Sequence, residues 1–273
     1  MIRFADSKDK PAIRQMWKLC FDDSEEFMDL YFREKYKSEN TLVYSCDEKI
    51  VSSLQMLPYT ITFYGKKIPF YYLSGLCTLP EYRSKGFMKR LIEAAHYEMK
   101  KRKIPLAVLI PAEKELFHFY EQFGYEQVFE ADEKLIPLKK ILTEHPIIED
   151  AYTVFDLNFQ QKDFCVQKTM DDFKTIVDEY QIDGCPPKTN LSGMARIIDA
   201  EYLFNLYKES VSASGLKLSL LNLGELSSIK SNELKADVRM LCRLLFGFKT
   251  KELDENFQLL FPERQPIMNL MLE

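Results

Sequence analysis

The stretch Arg83-Ser84-Lys85-Gly86 is where residue types and spacing first suggest chemistry. It follows an apolar run, Tyr71 to Leu79, which Pro80 ends because proline has no N–H to give to a strand ladder. From Phe87 the pattern turns helical, with Phe87, Leu91, Ala94 and Ala95 on one face. Such a strand–turn–helix junction gathers free main-chain N–H groups and the positive end of a helix dipole, which suits a pyrophosphate. Gly86 lets the backbone turn and approach a ligand closely. Arg83, Lys85 and Lys89 add positive charge beside it. Taken alone, the same residues also describe a solvated basic turn. A second group of interest is the acidic turn Phe21-Asp22-Asp23-Ser24. A third is the end of the sequence, where Ile267 to Leu272 is strongly apolar before Glu273. An apolar terminus is unusual unless it docks.

Composition narrows the classes of function. The net charge is −5, which argues against a broad nucleic-acid-binding surface but leaves room for a local anion site. The six cysteines are scattered without a C-x-x-C pair, and the three histidines are not spaced with them as a zinc site requires. They read as reduced thiols of a cytoplasmic protein, with no metal. No apolar run reaches the roughly 20 residues that span a bilayer, and the N-terminus does not read as a signal peptide. At 273 residues the chain allows one large domain or two ordinary ones.

These residues must be positioned by the following elements. Ile2 to Phe4 reads as a strand, Lys8 to Cys20 and Glu25 to Tyr36 as helices, and Thr41 to Cys46 as a strand. Ile50 to Tyr59 is expected to complete one hairpin. Thr60 to Tyr64 and the segment from Ile68 onward are expected to form another. The main helix runs from Phe87 to about Lys101. Leu106 to Ile110 is a buried strand, Glu115 to Phe123 a short helix ended by Gly124, and Tyr125 to Phe129 and Lys134 to Leu138 are closing strands. The order β-α-α-β-β-β-α-β-α-β predicts an α/β (α+β) sheet, antiparallel early, with a parallel pair flanking the main helix and a splayed gap where a ligand enters. Further on, Ala151 to Asn158, Asp163 to Gln167 and Met194 to Ile198 read as strands. Thr169 to Tyr180, Ala200 to Glu209, Lys235 to Phe246 and Thr250 to Leu260 read as helices. The expected units are 1–145, a connecting segment 146–190, and a smaller α+β unit 191–273.

Pro80-x-x-Arg83-x-x-Gly86 between strand and helix resembles the acetyl-CoA-binding motif of the GNAT N-acetyltransferases, with Met88 where that pattern prefers a small residue. Phe119-Tyr120-Glu121-Gln122-Phe123-Gly124-Tyr125 is similar to a second segment of the same family, at the right distance from Gly86. The resemblance covers about residues 1–140. Leu76 to Arg83, together with the later tyrosine motif, is similar to the Eis-like (enhanced intracellular survival) branch. Gly193 to Glu201 resembles the start of that branch's sterol-carrier-like C-terminal domain, here shortened.

The resemblance implies a GNAT fold and a direct acetyl transfer from acetyl-CoA to a primary amine. The acceptor would be a small aminoglycoside- or polyamine-like cation, or a lysine or N-terminal amine. It implies that N–H groups of Ser84, Lys85, Gly86, Phe87 and Met88 hold the pyrophosphate, supported by Arg83, Lys85 and Lys89. The edge of Leu76, Cys77 and Thr78 would pair with the pantetheine arm. Tyr120 becomes the general acid for the departing thiolate, since a phenol and a thiol have comparable pKa values; otherwise it packs on its helix face. In the Eis-like branch the terminal carboxylate reaches the active site, which here points to Glu273; otherwise the tail completes a core. Asp22 and Asp23 either line the acceptor groove or cap the following helix. Cys77 is an acyl carrier or a small apolar filler. His96 and His118 read as surface or packing residues, because positions two apart on a helix, such as His118 and Tyr120, face different ways. A homo-oligomer is compatible with all of this. The rival reading is a binding module that senses CoA or a lipid.

Overall fold

The structure is a computed structural model that describes residues 1–230 and 232–272. The chain begins with β1 (Ile2–Phe4), α1 (Lys10–Cys20) and α2 (Glu25–Glu34). α1 buries Ile13, Met16 and Trp17, which recur at helical spacing. α2 starts where the Ser24 hydroxyl accepts from the Phe27 N–H at 3.1 Å, with Glu25 and Glu26 on the positive end of its dipole. Three strands follow: β2 (Thr41–Cys46), β3 (Lys49–Phe63) and β4 (Lys66–Thr78). The expected break near Tyr59 does not occur. β3 is one strand of 15 residues, because the alternation of Leu57, Tyr59, Ile61 and Phe63 on one face continues through Pro58, which stays paired opposite Tyr71.

Next come α3 (Phe87–Lys101), β5 (Leu106–Leu109), α4 (Lys114–Glu121) and β6 (Glu126–Phe129). The chain then leaves the sheet. Residues 130–192 form α5 (Leu138–Glu144), α6 (Ile148–Phe159), the short β7 (Val166–Gln167) and α7 (Met170–Ile182). Two expected strands are thus corrected. Lys134 to Leu138 holds only an isolated bridge from Ile136 to Lys188 before α5. Ala151 to Asn158 lies inside α6, where Ala151, Phe155 and Phe159 repeat at four-residue spacing and bury one face.

The return strand is β8 (Gly193–Ile197), and it inserts between β5 and β6. The main sheet has the order β1-β2-β3-β4-β5-β8-β6, with β7 beside β3, and β4–β5 is its parallel pair. The expected boundary before residue 191 therefore cuts through the sheet: the strand assigned to a separate C-terminal unit is a member of it. Beyond it lie α8 (Ala200–Ser210) and a second sheet of β9 (Lys217–Leu220), β10 (Ser228–Lys230) and β11 (Glu233–Ala236). α9 (Val238–Phe246) and α10 (Glu255–Leu260) complete the order. The expected helix from Lys235 starts later, at Val238: Lys235 and Ala236 belong to β11, and Asp237 caps α9 by accepting from the Met240 N–H.

The core has three parts. One lies between the sheet and α1, α2 and the C-terminal elements. Another lies under α3 and α4. The third joins α5, α6 and α7. The tail docks across them, with Met268 to Leu272 buried, Ile267 bridging Cys165, and the Leu191 N–H donating to the Met268 carbonyl.

Candidate functional site

β4 pairs with β5 only from Phe70 to Tyr72, against Leu106 to Val108. Beyond that point β4 continues to Thr78 while β5 stops at Leu109. The register of β3 against β4 shifts between Ser53 and Gln55, opposite Gly75 at φ +59°. A Cβ on Gly75 would overlap the Trp17 ring, so only glycine permits this crossing. A bulge bends its strand. Here it accompanies the parting of β4 from β5, and the edge formed by Leu76, Cys77 and Thr78 lies past their last paired residues.

After a 3-10 turn at Pro80–Tyr82 the backbone takes left-handed conformations at Ser84 (φ +60°) and Gly86 (φ +76°), and α3 starts. Among the described residues, none of the main-chain N–H groups from Ser84 to Lys89 has an acceptor; the first satisfied one is that of Arg90, bonded to the Gly86 carbonyl. A loop that ends a strand and opens a 15-residue helix thus presents a row of free donors at the positive end of a dipole. The Arg83 Nε donates to the Thr78 carbonyl at 3.2 Å, and the Lys85 Nζ to the Glu81 carbonyl at 3.0 Å. Both side chains fix the loop's shape while leaving their charge beside it. Lys89 is exposed one turn on. Phe87 stacks on Tyr44 at 4.4 Å, and Arg90 donates to the Tyr44 hydroxyl at 3.0 Å. Met88 packs into the apolar layer under α3, so its bulk is directed to the core and not to the loop.

Tyr120, on α4, belongs to the same layer as Leu73, Leu76, Met88 and Leu91. Its ring meets Tyr125 edge-on at 6.0 Å, and burial pushes its phenol up to about 12. Cys77 points to the opposite face, where its thiol lies 3.4 Å from the Ser53 hydroxyl. The Thr78 hydroxyl lies 2.7 Å from that of Ser52.

The two residues of the acidic turn differ in their surroundings. Asp23 accepts from the Trp17 indole N–H at 2.6 Å, so its carboxylate holds the residue that covers Gly75. Asp22 is exposed. Glu273 lies outside the described residues. His96 bonds the Tyr125 hydroxyl at 3.0 Å, and its pKa falls to about 3 through burial and then Arg196. His118 is exposed and pairs with Glu121 at 3.1 Å. Sequence reasoning did not single out Tyr44, Arg90 or Cys20. The Cys20 thiol points to the Thr78 carbonyl at 3.5 Å. What joins them to the loop is contact between elements far apart in the sequence, which a single chain does not display.

Two cavities, of about 680 and 700 Å³, lie elsewhere, one between the 130–192 excursion and residues 248–267 and one along the excursion itself, and share no residue with the loop. Among the described residues there is no cluster of His, Cys, Asp and Glu that could hold a metal, and no helix long and apolar enough to cross a membrane.

Residues 1–128 match the family model described as the acetyltransferase (GNAT) domain. Three solved structures align over the whole chain. A GCN5-related N-acetyltransferase from Anabaena variabilis ATCC 29413 is 14% identical with a TM-score of 0.66, covering 99% of this chain and 100% of that one. One from Kribbella flavida is 11% identical with a TM-score of 0.60 and the same coverage. A protein of Enterococcus faecalis V583, described as a "Conserved Protein of Unknown Function" and "Probable N-Acyltransferase", is 15% identical with a TM-score of 0.58, covering 99% and 98%. At these identities the likeness is one of fold. The chain has the GNAT fold, with a mixed sheet flanked by helices and a second small sheet. No curated protein matches it in sequence.

Proposed function

We propose that the protein is an acetyl-CoA-dependent N-acetyltransferase that passes acetyl directly to a primary amine. The observation that carries this reading is the row of acceptor-free N–H groups from Ser84 to Lys89, placed at the start of α3 beside the parted strands β4 and β5. The donor set fits a pyrophosphate: main-chain N–H groups in a left-handed turn, with Arg83, Lys85 and Lys89 close by. The free edge of Leu76 to Thr78 would hold the pantetheine arm by strand-like bonds. Acetyl-CoA supplies the activated acyl group as co-substrate.

Tyr120 is the proposed general acid. Its high pKa keeps it protonated across the working pH range, and the apolar layer that raises it would raise a departing thiolate as well, so the two stay matched. The terminal main-chain carboxylate of Glu273 is the proposed base; the burial of Met268 to Leu272 supports a docked tail. The acceptor is proposed to be a small cation or a peptide amine, with the exposed Asp22 as its polar contact. Asp23 contributes through Trp17. Within this reading the motifs at Leu76–Arg83 and Phe119–Tyr125 favour the Eis-like branch, with β9–β11 and the elements around them as a reduced sterol-carrier-like part.

The test is thiol release from acetyl-CoA with a panel of amines. Turnover on at least one amine, lowered about 100-fold in kcat by Tyr120→Phe, is the expected result. CoA binding without turnover on any amine would overturn the enzyme and leave a sensor of CoA.

A further inference from the structure

Cys20 and Cys77 come from different elements, the end of α1 and the free end of β4, and the Cys20 thiol reaches the carbonyl of Thr78, the residue next to Cys77, at 3.5 Å. Cys77 is 4% exposed, whereas Cys20 is half-buried and open to solvent on one side. The Arg83 guanidinium stands beside Cys20, and both donate to the Thr78 carbonyl, at 3.2 and 3.5 Å. The two thiols differ in acidity. Cys77 first, then Arg83, favour the Cys20 thiolate and bring its pKa down to about 6. The bond to Cys20 and burial push the Cys77 thiol up. Tyr31, on α2, faces Cys77 and stays protonated, because burial raises it. One sulfur is thus an accessible nucleophile, and the other a protonated neighbour reached only from within.

We propose that Cys20 and Cys77 form a thiol-modification site, in which Cys20 accepts a sulfur from a low-molecular-weight disulfide and Cys77 resolves the adduct into an intramolecular bond. In the first step the Cys20 thiolate attacks RSSR, the Cys20–SR bond forms and RS⁻ leaves. In the second, Cys77 gives its proton to that thiolate and attacks the Cys20 sulfur, expelling the second RS⁻, which takes up a proton from solvent. The two thiols are oxidised and one disulfide is reduced to two RSH. The other cysteines lack this arrangement. Cys165 and Cys242 are buried and pushed to high pKa by desolvation, while Cys46 and Cys185 serve as half-buried controls. Cys77 and Arg83 also border the proposed cofactor site, but the thiol chemistry needs no acetyl-CoA and its readout does not depend on turnover.

The experiment uses the full chain and oxidised glutathione, followed by alkylation of free thiols and peptide mass spectrometry. The expected product is a Cys20–Cys77 linked peptide, reversed by dithiothreitol. Cys77→Ser should accumulate a stable Cys20–glutathione adduct, and Cys20→Ser should form neither species. The iodoacetamide rate of Cys20 should reach its plateau by neutral pH, and Arg83→Gln should slow it roughly tenfold at pH 6.5. A wild-type protein that stops at the glutathione adduct, or one modified only at Cys46 or Cys185, would overturn the proposal.

Discussion

The two faces of the main sheet around β3 and β4 differ in how they treat polarity. Toward α3 and α4 these strands present Leu54, Met56, Tyr71 and Leu73, and the layer holding the loop helix and Tyr120 is almost wholly apolar. Toward α1 and α2 the same strands present Ser53, Gln55, Tyr59 and Cys77. There Tyr31 donates to Ser74 at 2.9 Å, Lys35 pairs with Asp172 at 2.5 Å, and the buried Lys168 donates to Asn269 at 2.9 Å. The Gln55 Nε2 and the Tyr59 hydroxyl have no partner among the described residues. Buried polar groups are costly unless bonded. The difference teaches that the loop and Tyr120 are held by shape, while the other face carries chemistry at a cost in stability.

Four measurements would break or sharpen that contrast. The largest effect is expected at Lys168, whose pKa desolvation lowers to about 7. A lysine with a depressed folded pKa contributes stability above its unfolded value near 10.5, and this is lost as pH falls toward 7. Urea unfolding should therefore show wild-type stability rising by about 3 kcal/mol from pH 7 to 9.5, with Lys168→Met much flatter. Equal slopes would remove Lys168 as a cost. Next, Gly75→Ala should lose about 2–3 kcal/mol, since the new Cβ meets Trp17 at a positive φ; a loss below about 0.5 kcal/mol would show that the bulge adapts. On the other face, His96 is held neutral with a pKa near 3, so its contribution is intact above pH 6.5 and lost as pH falls toward 3. Wild type should lose about 2 kcal/mol between pH 6.5 and 4.5 that His96→Asn retains. The smallest stability effect is expected for Gly86→Ala. Nothing surrounds the new Cβ, so only the positive φ costs, about 1 kcal/mol, while the KM for acetyl-CoA should rise several-fold. An unchanged KM would detach the loop from the cofactor.

What the sequence displayed was local. The strand–loop–helix from Tyr71 to Lys101 and the helices α1 to α4 all rest on periodicity and turn chemistry within one segment. What it concealed was pairing at a distance. Gly193 to Ile197 is visible as a strand, but its position between β5 and β6 depends on two partners far away in the chain. The aromatic and β-branched residues of Ala151 to Asn158 mimic a strand until the four-residue spacing of Ala151, Phe155 and Phe159 is counted. At the site, the loop was readable because its donors are consecutive. The Cys20–Cys77–Arg83 group and the bond from Trp17 to Asp23 were not, because a tight turn or a bulge had to bring them together.

The insertion of β8 between β5 and β6 also sets an order of events during synthesis. Until Ile197 has emerged, β5 and β6 have no strand to join them, and β5 presents an unpaired edge of Leu106, Ala107, Val108 and Leu109. Apolar strand edges are templates for pairing with other chains. A nascent chain that already holds every residue of the anion loop and Tyr120 is therefore still open to aggregation. The 130–192 excursion works as a delay that the growing polypeptide must pass before its sheet can close.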